Sequence, residues 1–402
     1  MSHTLSGHIL GPQGFVAGTM ELDGSGRVRR ITGAPVAASA LRDSGQPLVL
    51  PGFIDLHVHG GGGRDIMEGG GAASWVAQCH AAHGTTALLA TTMTAPMADL
   101  ETAFTGLRSS CDERPARGAR VLGVHLEGPY INPGKLGAQP DFARPVSMEE
   151  LARLDAIAPI RLITLAPEMP GNMEQVKALS EAGYHVQLGH TLGSYEDGVQ
   201  ALALGARGFT HLFNAMTPLH HRAPGLVGAG LTTDGVFNQL IPDEVHLHPA
   251  MLKLVARAKG VEETVLITDA STLTGLPDGT ELPGFDGTVR VAGNALRGLD
   301  GTLIGSNIHH HQGLLNTLRA SGIGFERGIS MATSSAAKSV LLENEIGSLL
   351  PGCRASFNLI NPTTLELHAA VVRGRLVAAS EPFLNRFPEV GQNLFVPKAE
   401  RL

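Results

Sequence analysis

The chain has 402 residues, 43% hydrophobic and 17% charged, with 51 glycines and a formal net charge of -7. That length exceeds one small core and fits a large barrel with an accessory domain, or two ordinary domains. The composition is that of a soluble globular protein with many tight turns, and the charge argues against a nucleic-acid or membrane-surface partner. Cys79, Cys111 and Cys353 are scattered without metal-type spacing and read as packing residues. No run of about 18 apolar residues occurs, and the opening "MSHTLSGHILGPQGF" lacks the regions of a signal peptide, so a cytoplasmic protein is expected.

In chain order, residues 1–50 carry short alternating segments such as "GTMELDGSGRVRRITG", and the stretch from 352 to 380 is punctuated in the same way. The two ends, 1–50 and 351–402, are expected to pair into a small β-sandwich domain around a domain spanning 51–350. From Gly52 onward, eight β-rich runs alternate with Ala- and Leu-rich helical segments. They are "FIDLHVH", "TTALLATT", "VLGVHLE", "RLITLAPE", "HVQLGHT", "GFTHLFN", "NQLIPDEVHL" and "TVLITDA". This pattern predicts an α/β fold, a (β/α)8 TIM-like barrel whose chemistry gathers at the C-terminal ends of its strands. Between Ser271 and Ser306 a Gly- and Pro-rich insertion reads as a β-hairpin excursion.

Polar residues recur at the ends of these runs: His57 and His59, Glu127, Glu168, His190, His211, His246 and Asp269. Taken singly, each has an ordinary reading as a helix cap or loop partner. Their recurrence around one predicted barrel mouth favours a shared site. His57 and His59 fall on one face of a strand because side chains alternate, and the glycines after them let the backbone turn closely. Several histidines and a carboxylate on different strands suit a divalent ion such as zinc, iron or manganese. Asp269, in "LITDAS", is placed to act as the base beside a metal-activated water.

The motifs "PGFIDLHVHGGGG", "HLEGPYIN", "LAPE", "LGHT", "THLFNAM", "LITDAS" and "GTLIGS", in this order, resemble the N-acetylglucosamine-6-phosphate deacetylase family of the amidohydrolase superfamily. The resemblance runs from about residue 50 to about 360 and into the flanking β segments. It implies metal ligands at Glu127, His190 and His211, with His57 and His59 as equipment for a second ion. The metal it implies is zinc foremost, as one or two ions, with iron or manganese as alternatives. It implies Asp269 as general acid/base and substrate contacts at Ala138, Gln139, Asn214, Ala215, Arg222, His246, Leu303, Ile304 and Gly305. It further implies an amino-sugar phosphate substrate and a homodimer in which Arg222 reaches the neighbouring subunit's site.

There are three departures from the family pattern. Gln139 stands where the family has a histidine, Ala223 follows Arg222 where a glutamate is usual, and His309, His310 and His311 follow "GS" in place of small or apolar residues. The competing readings are an amidohydrolase acting on N-acetylgalactosamine 6-phosphate or an unphosphorylated N-acyl amine, and a barrel retained only for binding.

Overall fold

The structure, a computed structural model, describes residues 3–42, 45–112, 118–284 and 287–386. Parts of the span expected to form the small domain, at 1–2, 43–44 and 387–402, lie outside the described residues. Eight parallel strands form one sheet in sequence order: Phe53–Val58, Thr85–Thr92, Arg120–Glu127, Ile160–Leu165, His185–Leu188, Gly208–Phe209, Phe237–Leu240 and Thr264–Leu266. Each overlaps one of the eight runs read from the sequence. They are buried almost throughout, because parallel strands covered by helices keep no face for solvent.

A helix follows every strand: Ala72–Ala81, Met97–Asp112, Met148–Asp155, Asn172–Glu181, Tyr195–Ala203, Gly225–Thr232, Pro249–Lys259 and, after the insertion, His310–Ser321. Local sequence sets where two of these begin. The Ser147 hydroxyl accepts from the Glu150 N–H, and Ser194 with Asp197 forms a reciprocal capping box. No helix among the described residues is long and apolar enough to cross a membrane.

The ring is nearly closed by the segment after the eighth strand, where Ala270 bridges Val58 in parallel. Across this seam the Asp269 N–H donates to the His57 carbonyl at 3.1 Å, and the His59 N–H donates to the Ala270 carbonyl at 2.8 Å. Beneath it the Asp55 carboxylate accepts from the His57 N–H (3.3 Å), the Thr268 N–H (3.2 Å) and the Thr268 hydroxyl (2.6 Å). The closing seam thus fixes His57, His59 and Asp269 against one another. Gly60 allows the close approach, since a Cβ there would lie 2.5 Å from the Arg64 carbonyl oxygen and 2.8 Å from the Thr272 nitrogen.

The insertion is larger than the single hairpin expected. It forms a four-stranded antiparallel meander, Glu281–Gly284, Gly287–Ala292, Ala295–Gly298 and Leu303–Ser306. Turn chemistry accounts for the extra strands: Gly293-Asn294 makes a two-residue reversal with Gly293 at φ 61°, and Asp300 accepts from the Thr302 N–H and hydroxyl at the next one. An Ala270–Ser306 bridge seats the last of these strands on the barrel rim.

The two ends of the chain meet in one seven-stranded mixed sheet separate from the barrel. His3–Gly11, Gly14–Leu22, Val28–Pro35 and Leu48–Pro51 come from the N-terminal side; Phe357–Ile360, Leu367–Val372 and Arg375–Ala379 come from the C-terminal side. Ile9, Met20, Val49, Phe357, Leu359 and Val371 belong to a core of its own. Leu48–Pro51 pairs with strands from both ends and leads directly into the first barrel strand, which ties this sheet to the histidine-bearing strand.

Candidate metal centre

At the C-terminal ends of the barrel strands, side chains from five segments converge. Glu127 ends the third strand, and its two carboxylate oxygens face different histidine pairs. Oε1 lies 3.2 Å from His190 Nε2 and 3.0 Å from His211 Nε2, and those two nitrogens are 3.0 Å apart. Oε2 lies 3.3 Å from His57 Nε2 and 3.1 Å from His59 Nε2, which are also 3.0 Å apart. Asp269 Oδ1 stands 3.4 Å and 3.5 Å from the same two nitrogens. The donor atoms therefore form two groups, Glu127 with His190 and His211, and His57 with His59 and Asp269, each spanning no more than 4.8 Å.

This donor set fits divalent cations. Ligands about 2.0–2.1 Å from a tetrahedral zinc lie roughly 3.3 Å from one another, close to the separations found here. The His190 tautomer also suits ligation, because Nδ1 donates to the Lys135 carbonyl at 2.8 Å and leaves the Nε2 lone pair facing inward. Burial would raise the Glu127 carboxyl, yet the imidazoles of His57, His190 and His211 hold it well below the usual carboxylate range. Burial would lower His57, yet Glu127 and Asp269 lift it to about 9. Asp269 behaves like Glu127: burial opposes ionisation, and His57 and His59 overcome it. Two ionised carboxylates among imidazole nitrogens call for positive charge at the points where the nitrogens meet.

The backbone is bent to aim these groups. His190 (φ 49°), His211 (φ 31°) and Asp269 (φ 50°) all lie in the left-handed region, as do Phe213 (φ 84°) and Ala215 (φ 49°) in the "THLFNAM" segment. Such conformations cost on the order of 1–3 kcal/mol each and persist where the surroundings enforce them. Bonds between loops do so here: Asn132 N–H to the His190 carbonyl at 2.9 Å, Thr191 N–H to the Ala215 carbonyl at 3.0 Å, and Leu212 N–H to the Gln239 carbonyl at 2.8 Å.

The histidines and carboxylates open into a cavity of about 1020 Å³. Ala138, Gln139, Asn214, Ala215, His246, Leu303, Ile304 and Gly305 line it, together with His59, Glu127, His190, His211 and Asp269. The meander supplies a wall through Pro283, Thr288, Val289 and Leu299. His57 lies deeper and is fully buried. His246 is held by its Nδ1 on Asp243 Oδ2 at 2.6 Å; burial would lower its pKa, but Asp243 raises it. Among the described residues lining the cavity there is no Lys or Arg. Arg222 stands outside, exposed, with one guanidinium nitrogen 2.8 Å from His221 Nε2.

Glu168, read with the strand-end group, does not join it. Its carboxylate accepts from Asn132 Nδ2 (2.9 Å), the Leu192 N–H (2.6 Å) and the Thr191 hydroxyl, binding two loops together. The sequence reading also passed over Asp55, His125 and Asp243. His125 packs edge-on under His57, with ring centroids 4.6 Å apart, and its nitrogens meet the Leu56 carbonyl and the Thr164 hydroxyl. Strand alternation held the signal, since Asp55 and His125 each precede a site residue by two positions.

Eight strands with helices on one side and a buried histidine–carboxylate cluster at the strand ends define a metal-dependent barrel hydrolase. A family model for the amidohydrolase family matches residues 48–380, and the chain belongs to that family. Within it, curated relatives are hexosamine 6-phosphate deacetylases. The N-acetylgalactosamine-6-phosphate deacetylase of Escherichia coli O157:H7 is 34% identical, covering 94% of this chain and 100% of its own. The N-acetylglucosamine-6-phosphate deacetylase of Vibrio furnissii is 36% identical over 83% of this chain and 84% of its own. Among solved structures, the N-acetylglucosamine-6-phosphate deacetylase of Thermotoga maritima superposes with a TM-score of 0.84 at 29% identity, covering 94% of this chain and 100% of that one. An aspartate-to-alanine mutant of the N-acetyl-D-glucosamine-6-phosphate deacetylase of Mycobacterium smegmatis, in complex with N-acetyl-D-glucosamine-6-phosphate, matches equally well, with a TM-score of 0.84 at 29% identity, covering 94% of this chain and 99% of that one.

Proposed function

We propose that this chain hydrolyses N-acetylglucosamine 6-phosphate to glucosamine 6-phosphate and acetate. The observation that carries this reading is the Asp269 carboxylate, which lines the cavity within one donor group, with His57 and His59, next to a second made of Glu127, His190 and His211. Glu127, His190 and His211, with His57 and His59, would hold a divalent cation, zinc foremost, whose charge would polarise the amide carbonyl and lower the pKa of a water. The Asp269 carboxylate accepts the proton of the attacking water and returns it to the sugar nitrogen as the C–N bond breaks. The Asp243 carboxylate fixes the His246 ring, so that its free edge is available to a sugar hydroxyl. Asn214, Ala215 and the Leu303–Gly305 backbone bound the sugar.

The phosphate needs cationic partners that the described cavity wall lacks, which supports a homodimer in which Arg222 of one chain enters its neighbour's cavity. Its guanidinium offers a fork of donors matched to phosphate oxygens. The catalytic unit is the barrel, residues 51–350, with the terminal segments 1–50 and 351–402 as its accessory domain. A phosphorylated, membrane-impermeant substrate supports a cytoplasmic location.

The full-length match to an N-acetylgalactosamine-6-phosphate deacetylase supports a second reading, in which the epimer differs and the chemistry is the same. A panel of both N-acetylhexosamine 6-phosphates and their unphosphorylated sugars, assayed for acetate release with and without added zinc, separates the readings. The first expects the highest kcat/KM on N-acetylglucosamine 6-phosphate. A preference for the galactose epimer selects the second, and no acetate from any sugar in the panel overturns both.

A further inference from the structure

We infer that Gln139 is a positioning residue for Glu127, and that it sets whether the two donor groups hold two divalent cations or one. The inference rests on the reading of these groups as cation sites. Gln139 belongs to the loop after the third barrel strand and is 6% exposed. Its Oε1 accepts from the Thr94 N–H at 2.7 Å, and its Nε2 donates to Glu127 Oε2 at 2.7 Å. The polarity of this amide is determined by its partners: a backbone N–H can only donate and an ionised carboxylate can only accept, so oxygen must face Thr94 and nitrogen must face Glu127.

The consequence falls on the rotation of the Glu127 carboxylate. With Oε2 held by Gln139, that oxygen stays beside His57 and His59, and Oε1 stays beside His190 and His211. One carboxylate is thereby shared between both groups. Without the Gln139 hydrogen bond, Glu127 is free to turn both oxygens toward one cation at His190 and His211, and the group at His57, His59 and Asp269 loses its fourth donor. The amide therefore acts on Glu127, with only one N–H left to face the cavity. A neutral histidine has the same one donor and one acceptor and can replace Gln139 in this task; a leucine of similar bulk cannot.

The test is cation binding, read without turnover. Metal-stripped wild type, Gln139→Leu and Gln139→His are titrated with Co2+, following the visible absorption of the bound ion, and metal per chain is measured after dialysis. The inference expects two ions per chain in wild type and Gln139→His. In Gln139→Leu it expects the first ion to bind as before and the second at least tenfold more weakly, since losing a hydrogen bond to a ligand costs roughly 10–100-fold in metal affinity. His59→Ala should lose the same second ion. Retention of the first ion in Gln139→Leu certifies that the variant is folded. Equal affinity for both ions in wild type and Gln139→Leu overturns the inference, as does a wild type that binds only one. A wild type that binds no ion overturns the cation reading itself.

Discussion

Two histidine-rich regions lie on either side of Asp55, and they behave in opposite ways. At the barrel mouth, His57 and His59 face Glu127 and Asp269, and the carboxylates keep His57 protonated up to about 9 against its burial. Behind Gly60 and Gly61, His80, His83, His309 and His310 crowd together. There burial pushes His80 down to about 4 and His310 to about 3, and lowers His309 further. The nearest carboxylate to His310 is Asp55, whose Oδ2 is 3.8 Å from its Nδ1, and burial raises Asp55 itself to about 6. Residue type is the same in both regions. What differs is the carboxylate setting: Glu127 and Asp269 gather the mouth imidazoles around points that favour a cation, whether a proton or a metal ion, while the second region is ruled by burial and its rings pack in the neutral form.

The largest effect expected on this contrast comes from Asp269→Asn. The amide keeps the shape of the side chain but cannot accept a proton, so acetate release should fall by about 10²–10⁴-fold, the usual contribution of a positioned acid/base group. Bound metal at Glu127, His190 and His211 should remain, as measured by metal analysis. Near-normal turnover would remove Asp269 from its role.

Next in size is the acid sensitivity of the neutral region. His80 is fully buried and donates from Nε2 to the Gly60 carbonyl at 2.9 Å. Its folded pKa lies below its unfolded value, so the unfolded chain binds a proton that the folded chain refuses. Stability should therefore fall as pH drops through about 6.5 and level off below about 4, by roughly 3 kcal/mol in total. Urea unfolding of wild type and His80→Gln at pH 7 and pH 4.5 checks this; the variant should lose most of that proton's contribution to the slope. An unchanged slope would mean that His80 is charged in the fold.

A smaller effect belongs to charge supplied from outside the cavity. Arg222→Ala should raise KM for a 6-phosphorylated substrate by about 10–100-fold, the value of a charge-assisted hydrogen bond or pair, and leave unphosphorylated sugars untouched. Equal loss on both kinds of substrate would mean that Arg222 serves the fold.

The mouth's side of this contrast was legible in the sequence and the neutral region was not, and the illegible part has a common cause. The eight strand runs and the residues at their ends could be read because strand alternation and strand termini are local properties. What failed to appear depends on partners distant along the chain. Asp55 meets Thr268 across 213 positions, and Gln139 meets Thr94 across 45. Glu168 resembled its neighbours in sequence and became a loop clamp, because its partners Asn132 and Thr191 lie on adjoining loops. The His309–His311 triplet could not be assigned from its own residues, since His83 and Phe53, the rings it stacks on, come from the far end of the barrel sequence.

The smallest expected effect tests whether the neutral region speaks to the mouth at all. His83 stacks face to face on His309, with centroids 3.5 Å apart and planes within 5°. Two neutral rings so placed are worth about 0.5–1.5 kcal/mol beyond their area, and His83 is the outer one of the pair. His83→Ala should therefore cost about 0.5–1.5 kcal/mol in urea unfolding, with acetate release within about twofold of wild type. His309 contacts His80, His80 holds the Gly60 carbonyl, and Gly60 follows His59, so a continuous path to the candidate ligands exists. A loss of turnover well beyond twofold, with stability little changed, would show that this path carries strain to His59 and that the two regions are not independent.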